Sequence, residues 1–204
     1  MLSPTNYCTG CLFVFQICRV QFSTPIYSNL WLGLENPENP FSDIRIQCSD
    51  DVILYAHRLL LIKSPVLHRN LESEKSTRVL HLKECSSGSV KLFLKYLYFG
   101  SVKVLEDSSV TCWKELAQMA HCYDLPDLLQ FSELNLIEAV NEENMGELLL
   151  FSRELGLGEL RSKSITCIFK NLDNIKTLPQ FDAIRADPDL FTELLRSKGT
   201  IFQW

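Results

Sequence analysis

Hydrophobic positions along the chain change period several times, and each change marks a predicted element. Ile26, Leu30 and Leu34 recur at intervals of four from Pro25, one face of a helix, until Asn36-Pro37-Glu38-Asn39-Pro40 ends it. From Asp43 to Cys48 the pattern alternates strictly, with Ile44, Ile46 and Cys48 set against Asp43, Arg45 and Gln47. That is a half-buried strand. Ser49-Asp50-Asp51 supplies a turn, and Val52, Leu54 and Ala56 alternate again as the second strand of a hairpin. His57 to Lys63 carries a continuous leucine run and predicts a short helix buried on most sides. Ser64-Pro65 restarts a helix, the serine as cap and the proline at the first helical position. Residues 78–84 alternate with Leu80 and Leu82 inward, and Val90, Phe93, Leu94 and Leu97 give an amphipathic helix ending at Gly100. Val102 and Val104 mark a brief strand.

Beyond this point the spacing is helical throughout. Trp113, Leu116, Ala117 and Ala120 share a face. Asp124 is expected to cap the next helix, whose apolar side runs through Leu128, Leu129, Leu136, Ile137 and Val140. Asn141 is expected to cap another, with Glu142 and Glu143 in its first turn and Met145, Leu148 and Leu149 on its core side. Gly156-Leu157-Gly158 reads as a turn. Ile165, Ile168, Phe169 and Leu172 predict a further helix, and Asp187-Pro188 caps a last one containing Phe191, Leu194 and Leu195.

A chain of 204 residues, 46% hydrophobic and 22% charged, is long enough to bury a sizeable core, as one larger domain or one domain with an appendage. Its net charge of −5 and the 12 acidic against 8 basic residues after Gln130 leave no clustered basic face. Nucleic-acid binding depends on such a face, so it is not expected. The eight cysteines are dispersed, several inside apolar runs, which predicts reduced thiols in a cytoplasmic or nuclear protein. Residues 1–24 form a leader whose role the sequence does not define. Its apolar stretch from Cys11 to Cys18 is interrupted at Gln16, too short for a membrane span, and preceded by no basic residue.

No catalytic chemistry is legible. Cys8-x-x-Cys11, with Cys18 as a possible third ligand, falls short of the four that structural zinc requires, so no bound metal or other cofactor is expected. His57, His81 and His121 each lack a recognisable partner set for nucleophilic catalysis, and no phosphate-binding or nucleophile-elbow glycine motif occurs. His57 reads as a structural hydrogen-bonding residue, and Asp43 with Arg58 as a structural charged pair.

Three stretches together resemble the BTB/POZ family. They are Phe41-Ser42-Asp43-Ile44, Ala56-His57-Arg58-x-x-Leu61, and Ser64-Pro65-Val66-Leu67. The helix end Tyr96-Leu97-Tyr98-Phe99-Gly100 is similar to that family's tyrosine-rich helix terminus. Asn141 to Leu149, continuing through Asp187-Pro188-Asp189-Leu190, resembles the shortened BACK-like tail of the speckle-type POZ proteins. The resemblance implies an α/β fold, a small sheet flanked by helices, as a BTB/POZ domain over 25–130. A BACK-like extension of helical hairpins over 131–199 would follow.

It further implies a protein-interaction module rather than an enzyme. BTB domains dimerise through an N-terminal helix, which places a homodimer interface at Ile26, Leu30 and Leu34. Cullin-binding members insert an apolar side chain two residues before a glutamate. Here Leu71 stands one and three residues before Glu72 and Glu74, and Tyr123 occupies the place of a cullin-contacting tyrosine. Two readings stand together: a dimeric adaptor in a cullin-based ubiquitin ligase, serving unidentified partners or substrates, or an oligomerising regulator that binds no cullin. A third, of another class, is an anchored or metal-assisted protein built on residues 8–22.

Overall fold

The computed structural model describes residues 25–73, 78–100, 109–171 and 181–190, together with 192, 193 and 196. The elements expected at Val102 and Val104, the side chain of Ile26, and Glu74, Leu172, Phe191, Leu194 and Leu195 lie outside the described residues, as do Cys8, Cys11 and Cys18.

Helix α1 (Pro25–Leu32) opens the described chain. Strands β1 (Ile44–Cys48) and β2 (Ile53–Ala56) form the expected antiparallel hairpin, with Ile44 opposite Ala56 and Ile46 opposite Leu54. After α2 (Arg58–Leu61) and α3 (Pro65–Ser73), strand β3 (Val79–Leu82) returns to pair parallel with β1, Ile46 facing Leu80. The sheet order is therefore β2-β1-β3. One face, carrying Ile44, Ile46, Cys48, Leu54, Ala56 and Leu82, is buried, with Leu80 half-covered beside them. The opposite face presents Arg45, Gln47, Ile53, Tyr55, Val79 and His81, as the two-residue strand period requires.

Helices α4 (Ser87–Phe99), α5 (Val110–Cys122) and α6 (Pro126–Glu138) cover the buried face. Phe93 and Leu97 of α4, Leu116 of α5 and Leu128 and Leu136 of α6 are fully enclosed. Helix α4 starts where Ser86 Oγ accepts the Ser89 N–H, and it stops at Gly100, whose φ of 71° only glycine adopts without strain. The hairpin of α7 (Met145–Leu155) and α8 (Gly158–Lys170), followed by α9 (Phe181–Ala186), completes an α/β fold. Met145, Leu149, Ile165, Ile168, Phe169, Ile184 and Leu190 form a second apolar cluster here.

Three local expectations, on α2, Asp124 and Asn141, are corrected. The leucine run of α2 is not buried on most sides. Leu60 and Leu61 are, but Leu59 is 74% exposed, because a four-residue helix has room for only one covered face. Asp124 does not cap α6: with φ 53° it closes α5, the Leu125 N–H reaching Ala120 O at 2.9 Å and its own N–H reaching His121 O at 3.3 Å. This is a Schellman ending, and aspartate is one of the few side-chain-bearing residues that tolerate it. Asn141 caps the single turn before α7, its Oδ1 accepting from the Glu143 and Asn144 N–H groups, and the helix itself begins at Met145. The boundary expected at 130 falls inside α6, which continues to Glu138. Asp187 does cap as expected, accepting from the Asp189 and Leu190 N–H groups.

Candidate interaction surfaces

Where α1, α2 and α4 meet, the ring of Tyr98 gathers the residues that hold them. Trp31 of α1 contacts it edge-on at 5.9 Å between centroids, and His57 contacts it at 5.8 Å. Nδ1 of His57 lies 2.6 Å from the Tyr98 hydroxyl, inside the core. Burial holds the imidazole below its ordinary pKa and pushes the phenol of Tyr98 up. Lys63 closes the junction by donating to Tyr98 O at 3.3 Å. His57 is thus the structural hydrogen-bonding residue the sequence suggests.

Outside this junction the same two N-terminal elements leave large apolar groups uncovered. Leu32 at the end of α1 is 79% exposed, and Leu59 and Ile62 at α2 are 74% and 40% exposed. Of the residues expected at a dimer interface, Leu34 lies past the end of α1 and is buried in the chain's own core, its carbonyl accepting from Tyr55 N. Leu30 is half-buried against the same core. Leu32, Leu59 and Ile62 were not picked out in the sequence, since periodicity marks which residues are apolar and not which apolar residues remain uncovered.

A second surface lies where α3 begins beside the end of α5. Ser64 Oγ donates to Tyr123 O at 2.6 Å and accepts from the Leu67 N–H, so one buried hydroxyl caps α3 and ties it to α5. Tyr123 is half-buried with its ring 5.4 Å from that of Phe93, and burial raises its phenol to about 12. Glu72 is exposed near the end of α3, 3.2 Å from His68. Leu71, between them in the chain, is only 7% exposed, and its carbonyl accepts from the Arg58 guanidinium at 2.7 Å. Arg58 also gives its main-chain N–H to Asp43 Oδ1 at 2.7 Å, so the pair read as structural joins β1 to α2 and reaches α3.

A third feature is a cleft of about 530 Å³ lined by Pro37, Asn39, Ser42, Tyr55 and the arginines Arg45, Arg58 and Arg78, with Asp43 and Ile44. Its loop wall is held by Asn39, whose side chain donates to Gly33 O. A Cβ at Gly33 would stand 2.3 Å from the Asn39 amide nitrogen, so this approach depends on glycine. Arg45 sits on the polar side of the alternating β1 pattern. Its neighbour Arg78 is brought to it only by the parallel β1–β3 pairing, which no local pattern reveals.

Among the described residues no group of three or more His, Cys, Asp or Glu could hold a metal, and no helix is long and apolar enough to cross a membrane. Cys48, Cys85, Cys112, Cys122 and Cys167 carry free thiols, burial raising those of Cys48 and Cys85 to about 11.

The chain is similar to several known proteins. A BTB/POZ domain-containing protein of Arabidopsis thaliana is 22% identical over 170 residues, spanning 78% of this chain and 81% of its own length. Among solved structures, the BTB domain of human gigaxonin is similar at 20% identity and a TM-score of 0.38, over 53% of this chain and 89% of that one. The BTB domain of zebrafish PATZ1 is similar at 17% identity and a TM-score of 0.44, over 58% and 92%. The family model for the BTB/POZ domain matches residues 34–140, more than half of the chain. With its three-stranded sheet, the helices packed on it and that match, the chain belongs to the BTB/POZ domain family, an interaction fold.

Proposed function

We propose that this chain is a non-enzymatic, dimerising interaction module that holds partner proteins together, in the cytoplasm or nucleus. The observation that carries the reading is the exposure of Leu32, Leu59 and Ile62 on two elements that converge at Tyr98. Large apolar side chains on neighbouring elements are the mark of a surface meant to be covered. Burying the exposed parts of the three against a second copy contributes roughly 3–6 kcal/mol before ordering costs. Leu30 and Leu34 already support the chain's own core, so the dimer is best tested away from them. Sedimentation velocity on the wild type and on Leu59→Asp provides the test. A dimeric wild type and a folded, monomeric variant are expected; a monomeric wild type rejects the reading. The five free thiols among the described residues are in keeping with a reducing compartment.

A second reading places the module on a cullin scaffold. In support, Ser64 ties the start of α3, the helix that carries Glu72, to Tyr123. The hairpin of α7 and α8, read as a BACK-like extension, would widen the contact. Leu71 is not its anchor in this conformation, being covered by the core. Titration calorimetry with a cullin N-terminal domain is expected to give micromolar binding, weakened at least tenfold in Tyr123→Ala with Glu72→Ala, a loss of about 1.4 kcal/mol. No heat with wild type at roughly tens of micromolar would reject the cullin and leave the dimeric regulator.

A further inference from the structure

We propose that the cleft between the 37–42 loop and the sheet binds a phosphate monoester, held by Arg45 and Arg78. Both residues line the 530 Å³ cleft, and both are exposed. The main-chain bond from Arg45 N to Arg78 O, 2.7 Å long, holds β1 against the residue that leads into β3. Arg45 stands opposite Val79 in the parallel ladder and Arg78 precedes β3, so two guanidinium-bearing residues reach one cleft, from β1 and from the approach to β3. Among the described residues neither guanidinium has an ion pair. Two other arginines do have such partners: Arg153 lies 2.8 Å from Asp187, and Arg161 lies 3.4 Å from Glu193.

The third arginine of the cleft, Arg58, is already engaged with Leu71 O, while its N–H meets the only lining carboxylate, Asp43. Three guanidinium groups against one carboxylate leave a lining charge of +2, in a protein whose net charge is −5. A dianionic phosphoryl group matches that charge, and guanidinium forks pair with its oxygens two at a time. Ser42 and Tyr55 add hydroxyls to the lining, and Pro37 with the Tyr55 ring gives the ester's organic part an apolar wall. The proposal is independent of dimerisation and of cullin binding. A carboxylate or sulfate monoester carries one charge fewer and is expected to bind more weakly.

The test is titration calorimetry of the full chain with phenyl phosphate, phenyl sulfate and a phosphoserine peptide paired with its unphosphorylated form. Saturable one-site binding of phenyl phosphate is expected, at least tenfold tighter than phenyl sulfate. Arg45→Gln and Arg78→Gln should each weaken it about tenfold, a loss of about 1.4 kcal/mol. Arg69→Gln, an exposed arginine of α3 outside the cleft, should leave it unchanged. Arg45→Lys keeps the charge and loses the fork, and should fall between. A peptide that binds tighter than phenyl phosphate, only when phosphorylated, assigns the source to a modified protein; the reverse order assigns it to a small ester. Phenylglyoxal labelling read by mass spectrometry checks the same site without any variant, since bound phenyl phosphate should protect Arg45 and Arg78 but not Arg69. No saturation by wild type up to about 10 mM overturns the proposal. Equal weakening by Arg69→Gln, or no protection of Arg45 and Arg78, overturns it as well.

Discussion

His57 shows what one buried side chain does in this fold. It is 6% exposed, its Nδ1 is bonded to Tyr98, and its Nε2 has no partner among the described residues. Charging the ring would put a proton on a nitrogen sealed in apolar surroundings, so burial holds the pKa below 6.5, against the opposing pull of Asp43. Lys63, the other charged group at the junction, makes protonation no easier. The unfolded chain therefore takes up a proton before the folded one does. The stability His57 contributes is fully present above pH 6.5 and is lost as pH falls from there towards the depressed folded value. One proton changes stability by about 1.4 kcal/mol per pH unit across that window. His57→Gln keeps a hydrogen-bonding group and removes the titration. Urea unfolding of both proteins at about pH 7.5 and about pH 5.5 should show the wild type losing more stability than the variant. An equal loss would mean that another group dominates.

At the scale of elements, helix ends are where distant parts of the chain are joined. Glu115 of α5 accepts from both the N–H and the hydroxyl of Ser86, so α5 braces the start of α4. Glu133 of α6 accepts from the Glu159 and Leu160 N–H groups at 3.0 Å each, capping α8 from 26 residues upstream. Leu157, at the cap position of α8, has no side chain that could serve. Glu133→Ala should thus leave two N–H groups of α8 to water and cost about 1 kcal/mol, with faster amide exchange confined to the first turn of α8. Exchange unchanged there would show the cap to be dispensable. These joints also mark where sequence reasoning succeeds and where it stops. The alternation from Ile44 to Cys48 and the stop at Gly100 were legible because period and glycine chemistry are local. Asp124 was misplaced because aspartate serves both as a cap and as a left-handed helix ending, and only the bonds to Ala120 and His121 distinguish them. The third strand's partner, the Glu133 cap and the main-chain bond from Arg45 to Arg78 depend on contacts across 26 or more residues, where no local pattern reaches. Of the candidate surfaces the sequence offered residue types, not which of them stay uncovered, and it passed over Leu32, Leu59 and Ile62. Tyr123 is half-buried and Glu72 exposed, while Leu71 and Leu34 are buried within the chain.

For the molecule as a whole, the question is whether the helices after residue 140 are an appendage or part of the BTB domain's own core. The family match ends at 140, yet Leu148 and Phe151 of α7, and Leu157 and Leu160 at the start of α8, belong to the same apolar cluster as the sheet and α4–α6. Lys114 of α5 pairs with Glu147 and lies over the Phe151 ring, a further tie across the boundary. Four buried apolar side chains of this size contribute roughly 6–12 kcal/mol in transfer free energy. A domain's whole margin is about 5–15 kcal/mol. The gross contribution of the extension is therefore comparable to the total, and the two parts should unfold together. The second cluster, built on Met145, Leu149, Ile165 and Phe169, hangs on the same helix α7 and should follow it. Differential scanning calorimetry of the full chain is expected to give one transition, with calorimetric and van't Hoff enthalpies equal. A chain ending at Val140 would bare the side of α5 and α6 that Leu148 and Leu160 cover. It should melt at least 10 °C lower or aggregate, since about 1 kcal/mol shifts a domain of this size by roughly 2–4 °C. Two separate transitions in the full chain, or a truncated chain as stable as the parent, would show instead that the BTB domain folds alone and carries its helical extension as an independent unit.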